Sequence, residues 1–142
     1  MSLFYSSILI AICSTLLYHI TIKFTPADAN PALSLIVTYL TAIILCVILL
    51  FFIPLKSSIA DGLKQLNWAS VGLAFALVGL EIGFILVYRA GWNISTAAIV
   101  VNATITVLLV PVGIMMFSEK LSAMNYMGIV VCIAGLVMVN VK

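Results

Sequence analysis

The sequence predicts an all-α integral membrane protein, and three observations carry that expectation. The 142 residues are 65% hydrophobic and only 7% charged, far more apolar than the roughly 45–50% of soluble domains. Mean hydropathy is +1.38. Finally, the apolar residues fall in runs of about 20, the length that crosses a hydrocarbon core of roughly 30 Å as a helix. These runs lack the alternation of a barrel strand, and backbone in lipid is satisfied only in helices or closed barrels. Five spans are expected, at about 3–24, 33–53, 68–88, 94–117 and 124–139, forming a single transmembrane module over residues 1–142.

Each span has identifiable ends. The first is followed by a loop with Pro26 and Pro31, residues that stop one helix and start the next. A secretory signal is the rival reading of this stretch, because Ala27-Asp28-Ala29 resembles a cleavage site. The run lacks an early Lys or Arg and is too long for a signal core, and Lys23 interrupts it. The second span ends at Pro54, and residues 56–67 form a polar loop or a brief interfacial helix. The third span closes at Tyr88-Arg89-Ala90-Gly91-Trp92-Asn93, a tight connection with aromatic and basic residues at headgroup level. Asn93 or Ser95 is placed to cap the fourth span, and Ser118-Glu119-Lys120 ends it. Trp68 and Trp92 read as interfacial anchors.

Glu81 sits in the middle of the third span, in what should be hydrocarbon. An ionisable group there is costly, and so it finds a partner, lines a wet cavity or stays protonated. All three outcomes suit a site for cations or protons. His19 in the first span and Asn102 in the oppositely directed fourth are expected at a similar depth, which implies a shared proton- or substrate-binding pocket. Ser95, Asn102, Thr106 and Gly113 recur at spacings of seven, four and seven, a small and polar stripe along one helix face. Ser34, Thr38 and Thr41 form a similar stripe on the second span. Ser34, Thr38, Tyr39, Tyr18, Ser95 and Thr106 are therefore candidate cavity-lining residues.

Each feature also has a bland structural explanation. Thr and Ser in helices bond back to the preceding turn, a membrane Asn can glue two helices, and His19 can make a purely structural hydrogen bond. Pro111 interrupts the fourth helix at the carbonyl of Val107, giving either a hinge or a static kink. Small residues four apart allow close helix approach, as at Gly72 and Ala76, or Gly79 and Gly83. Gly128, Cys132 and Gly135 put such a face on the nearly nonpolar last helix, the candidate dimer seam.

Several classes are excluded. The net charge of +2 is small and scattered, so no nucleic-acid partner is expected. One His, one membrane carboxylate and scattered Cys make no metal ligand set; Cys13, Cys46 and Cys132 read as buried small residues. No phosphate-binding loop is present. Neither enzymatic activity nor a cofactor is expected.

With five spans the termini lie on opposite sides. Lys56, Lys64 and Lys120 fall on the N-terminal side, and Lys23, Arg89 and Lys142 on the other. Basic residues in short loops set orientation, so this balance predicts insertion both ways, or an orientation fixed by the first helix, with the N-terminal amine favouring a cytoplasmic N-terminus.

Pro111 in an apolar helix, then Phe117-Ser118-Glu119-Lys120-Leu121-Ser122, then Gly128 and Gly135 in the last helix resemble the closing part of an EamA-type module of the drug/metabolite transporter superfamily. The resemblance implies a five-helix transport fold, usually present as two modules in inverted orientation. Smaller four-helix relatives work as antiparallel dimers in which a membrane glutamate exchanges protons for cationic substrate. This chain has one module, and its Glu81 is in the third helix rather than the first, so the role of Glu81 rests on its burial and not on the resemblance.

Together these features lead to a secondary transporter of a small, cationic or amphipathic metabolite or drug. It would work as an antiparallel homodimer in the inner (cytoplasmic) membrane, with proton exchange at Glu81. The alternatives are a non-transporting membrane subunit, a component of a flippase for a lipid-linked metabolite, or one half of a pair with a second five-helix protein.

Overall fold

A computed structural model describes residues 2–55 and 58–140. Lys56 and Lys142, which enter the charge balance, lie outside the described residues. Among the described residues there are six helices and no strand: α1 (Ser2–Lys23), α2 (Pro31–Phe52), α3 (Ile59–Lys64), α4 (Trp68–Arg89), α5 (Ile94–Phe117) and α6 (Ala123–Asn140). Four of them, α1, α2, α4 and α5, are long and apolar enough to cross a membrane. The apolar α6 is shorter, and α3 is a brief helix over Ile59–Lys64, within the expected polar segment. The chain divides into two compact units, Met1–Ala90 and Gly91–Lys142.

Local chemistry sets the helix ends. At the end of α1 the N–H groups of Phe24 and Thr25 donate to the carbonyls of Thr21 and Ile22 at 3.0 and 3.1 Å, tightening the last turn. Asn30 caps α2, its side chain accepting from Ala32 N at 2.9 Å and Leu33 N at 3.4 Å, while Pro31 takes the first helical position. This cap starts the helix two residues before the expected 33. Ser58 caps α3 by accepting from Asp61 N at 3.2 Å and donating to Asp61 Oδ2 at 2.8 Å. Asn67 caps α4 through Ala69 N at 2.9 Å. Asn93 occupies the N-cap of α5, yet its side chain makes no capping bond, so the expected cap there is positional only. Asn30→Ala is expected to destabilise the protein by about 1 kcal/mol, read as a lower unfolding midpoint in mild detergent.

In the first unit α4 is the central element, packing against both α1 and α2. One face of α4 carries the contact: Phe84, Ile85 and Tyr88 are buried and Glu81 half-buried, positions three and four apart that share a helix side. From α1, Tyr18 meets Phe84 edge-on with ring centroids 5.8 Å apart, and His19 meets it at 4.8 Å. Such edge-to-face pairs add to the burial of their apolar area. Elsewhere the helices expose their apolar side chains: Leu3 is 81% exposed, Phe51 82% and Phe75 77%. Apolar surface on this scale does not persist against water but is at home against hydrocarbon.

That exposure corrects one expectation. Cys13, Cys46 and Cys132 are all exposed on helix surfaces rather than buried. The helices touch over narrow seams, so most positions in a span face outward.

In the second unit α5 packs against α6. Helix α5 continues through Pro111 to Phe117. It ends where Ser118 adopts φ 53°, in the left-handed region, and the N–H groups of Ser118 and Glu119 both reach the carbonyl of Gly113. The Glu119 carboxylate folds over Gly113, occupying the space a Cβ would need. Gly128 and Gly135 have open space where a Cβ would go, and with Cys132 they lie exposed on α6. Ser122 begins α6 by accepting from Asn125 N at 3.3 Å and donating to Asn125 Oδ1 at 2.9 Å.

Candidate functional site

A cavity of about 150 Å³ lies where α1, α2 and α4 converge in the first unit. Tyr18, Thr21 and Ile22, with Thr25 just beyond, line it from α1. Ser34, Leu35 and Thr38 line it from α2, and Glu81 and Ile85 from α4. Thr25 and Ser34 stand at the loop end of their helices. Glu81 lies eight residues before the end of α4, about 12 Å along the axis at 1.5 Å per residue. The cavity thus runs from the α1–α2 loop to the membrane carboxylate.

Two of its hydroxyls are held as acceptors. The Thr38 hydroxyl donates to the Ser34 carbonyl at 3.0 Å, and the Thr21 hydroxyl donates to the Leu17 and Tyr18 carbonyls at 2.9 and 3.1 Å. With their protons committed to the helix backbone, both hydroxyls offer only lone pairs to a ligand. The Tyr18 hydroxyl oxygen is buried with no hydrogen-bond partner among the described residues. No salt bridge reaches Glu81 among the described residues. The Glu81 carboxyl group and the free lone pairs of Thr21 and Thr38 can accept hydrogen bonds from a ligand in this cavity.

The sequence-derived candidates divide between the two units. Glu81, Tyr18, Ser34 and Thr38 meet in this cavity. Tyr39 is not among its lining residues, although its hydroxyl too is buried without a partner among the described residues. His19 is buried and shares a 2.9 Å hydrogen bond between its Nδ1 and the Tyr88 hydroxyl. Tyr88 is seven residues beyond Glu81, about 10 Å along α4, so His19 lies nearer the end of the helix than the carboxylate and outside the cavity lining. Ser95, Asn102 and Thr106 belong to the second unit, where all three are exposed on α5. The Thr106 hydroxyl donates to the Asn102 carbonyl at 2.8 Å.

Residues not anticipated from the sequence include Phe84 and Ile85, whose spacing from Glu81 marks them as sharing its helix face, and the pair Tyr88 and Arg89. Arg89 Nη2 donates to the carbonyls of Pro26 at 3.1 Å and Ala29 at 2.6 Å, tying the α1–α2 loop to the end of α4. Tyr88→Phe leaves His19 Nδ1 buried and unpaired, an expected loss of about 1–2 kcal/mol seen as a lower thermal midpoint, with His19→Phe in the same background recovering part of it. Compared with protein-family models, curated proteins and solved structures, the chain matches none.

Proposed function

We propose that the protein is a secondary transporter of the EamA type within the drug/metabolite transporter superfamily. It moves a small cationic or amphipathic molecule across the inner membrane by alternating access, in exchange for protons at Glu81. The observation that carries this reading is the cavity that reaches the Glu81 carboxyl group past the Thr21 and Thr38 hydroxyls, whose protons are committed to helix carbonyls. Substrate and proton compete for one carboxylate, which couples their fluxes without a nucleotide. A single five-span module needs a partner to enclose a two-sided site, and an inverted repeat puts that site near the midplane. An oppositely inserted second copy supplies the repeat, with the small face of α6 at Gly128, Cys132 and Gly135 as the seam.

The direct test is uptake of a fluorescent organic cation such as ethidium into proteoliposomes under an imposed pH gradient, with uptake expected only in the presence of the gradient. Dual insertion is tested separately, with a cytoplasmic and a periplasmic reporter fused in turn to the C-terminus. Activity from both is expected. Activity from one alone rejects the antiparallel homodimer and leaves an inverted partner protein as the means of completing the carrier.

A further inference from the structure

A second cavity, of about 300 Å³, lies at the loop end of the first unit and is lined by Lys23, Thr25, Ala27, Ile85, Tyr88 and Arg89. Among the described residues, its lining includes two cations and no acidic residue. Lys23 is the last residue of α1 and Arg89 the last of α4, so both stand where helices that span a bilayer reach headgroup depth. From these features we infer that this cavity is a binding site for a phosphate-bearing oxyanion.

Two like charges lining one small cavity repel each other, and the repulsion grows as water is displaced from between them. The fold nevertheless holds both in place. Arg89 is fixed by its two bonds to the Pro26 and Ala29 carbonyls, which use two of the five N–H donors of a guanidinium. Its Nε is buried with no hydrogen-bond partner among the described residues. Lys23 Nζ lies 5.1 Å from the centroid of the Tyr88 ring, a cation–π contact, and the Tyr88 ring is itself held by His19. A pre-positioned guanidinium beside an ammonium is the arrangement that takes a phosphate group: the planar fork gives directional hydrogen bonds and the lysine a point charge. Basic pockets between membrane helices at the headgroup level bind lipid phosphates by the same chemistry. The ligand is therefore either the headgroup of an anionic phospholipid or a phosphate group carried by a soluble molecule. This site is separate from the cavity at Glu81, although Thr25 and Ile85 border both, and it does not depend on the carrier reading.

The test is a thermal shift on the whole protein purified in a neutral detergent and titrated with phosphatidylglycerol, phosphatidylcholine or inorganic phosphate. The unfolding midpoint is expected to rise saturably with phosphatidylglycerol and not with phosphatidylcholine. A rise with inorganic phosphate as well identifies the oxyanion itself as sufficient, whereas a rise with phosphatidylglycerol alone assigns the site to a lipid. Lys23→Gln leaves the Arg89 loop contacts in place and is expected to raise the half-saturating concentration at least about tenfold, close to the 1.4 kcal/mol that separates decades of affinity. Lys64→Gln removes an exposed charge on α3 and is expected to respond as the wild type does. The inference is overturned if neither anion shifts the midpoint, if phosphatidylcholine shifts it equally, or if Lys23→Gln and Lys64→Gln weaken the response to the same degree.

Discussion

Glu81→Gln is expected to reduce proton-driven uptake of an organic cation in proteoliposomes by at least about a hundredfold, the lower range for loss of a positioned proton-transfer group, while leaving the protein folded. Glutamine keeps the shape of the side chain and removes its ability to gain or lose a proton, so the cavity persists but the competition between substrate and proton ends. The half-buried Glu81 has no salt-bridge partner among the described residues, so neutralising it leaves no opposite charge stranded. The thermal midpoint is therefore expected to stay level or rise. Glu81→Asp retains the carboxyl group one methylene further from the substrate and should keep measurable, pH-gradient-dependent uptake. If Glu81→Gln still couples uptake to the gradient, the proton passes elsewhere and Glu81 is not the coupling group. A concurrent collapse in stability would instead mark Glu81 as a structural residue of the α1–α2–α4 junction.

Much of this architecture is legible in the sequence because lipid leaves the chain few choices. Hydrocarbon demands that each segment satisfy its own backbone, so long apolar runs become helices, and the boundaries follow local chemistry that can be read directly: Asn30 before Pro31, Asn67 before Trp68, Pro54 after the second run. Glu81 stands out for a related reason, since a lone carboxyl group in an apolar run is conspicuous whatever packs around it. Which other residues gather near it is harder to read. In a helix whose entire circumference is apolar, hydrophobicity does not distinguish the face that meets a neighbour from the face that meets lipid. The signal for the α4 face was positional: Glu81, Phe84, Ile85 and Tyr88 fall three and four residues apart, so the carboxyl group itself marked the packed side.

Depth estimates carried less information than spacing. His19 stands four residues from the end of α1 and Glu81 eight from the end of α4, so His19 meets Phe84 and Tyr88, nearer the helix end, rather than Glu81. The polar stripe of α5 shows a further limit. A period alone does not say what covers a stripe: Ser95, Asn102 and Thr106 are exposed while Gly113, on the same line, is covered by Glu119. The role of Arg89 was hidden for a different reason. A basic residue at a helix end reads as a headgroup contact, and only the fold of the α1–α2 loop turns its guanidinium back toward two carbonyls.

Arg89→Ala is expected to be the most damaging single substitution among the loop contacts, lowering stability by about 2–3 kcal/mol, the range for hydrogen bonds to a charged group with their partners left unpaired. Two further sets of bonds hold the loop between α1 and α2 at its ends. Its own backbone contributes the 3.2 Å bond from Ala29 N–H to the Pro26 carbonyl, and Asn30 is committed to capping α2. Arg89 Nη2 grips the carbonyls of both Pro26 and Ala29, so removing the guanidinium releases the turn at its two ends at once. Thr25 and Ser34, which border the mouth of the Glu81 cavity, flank this turn in sequence, and its release should loosen the mouth as well. The measurements are the thermal midpoint in mild detergent and the rate of proteolytic cleavage at residues 24–30, both expected to change far more than in Asn30→Ala, which costs about 1 kcal/mol. Arg89→Lys supplies one charged donor group in place of the fork and should recover only part of the loss. If Arg89→Ala matches the wild type in both measurements, the two carbonyl contacts contribute nothing to holding the loop, and the packing of Phe84 and Tyr88 against α1 must fix that end of the unit alone.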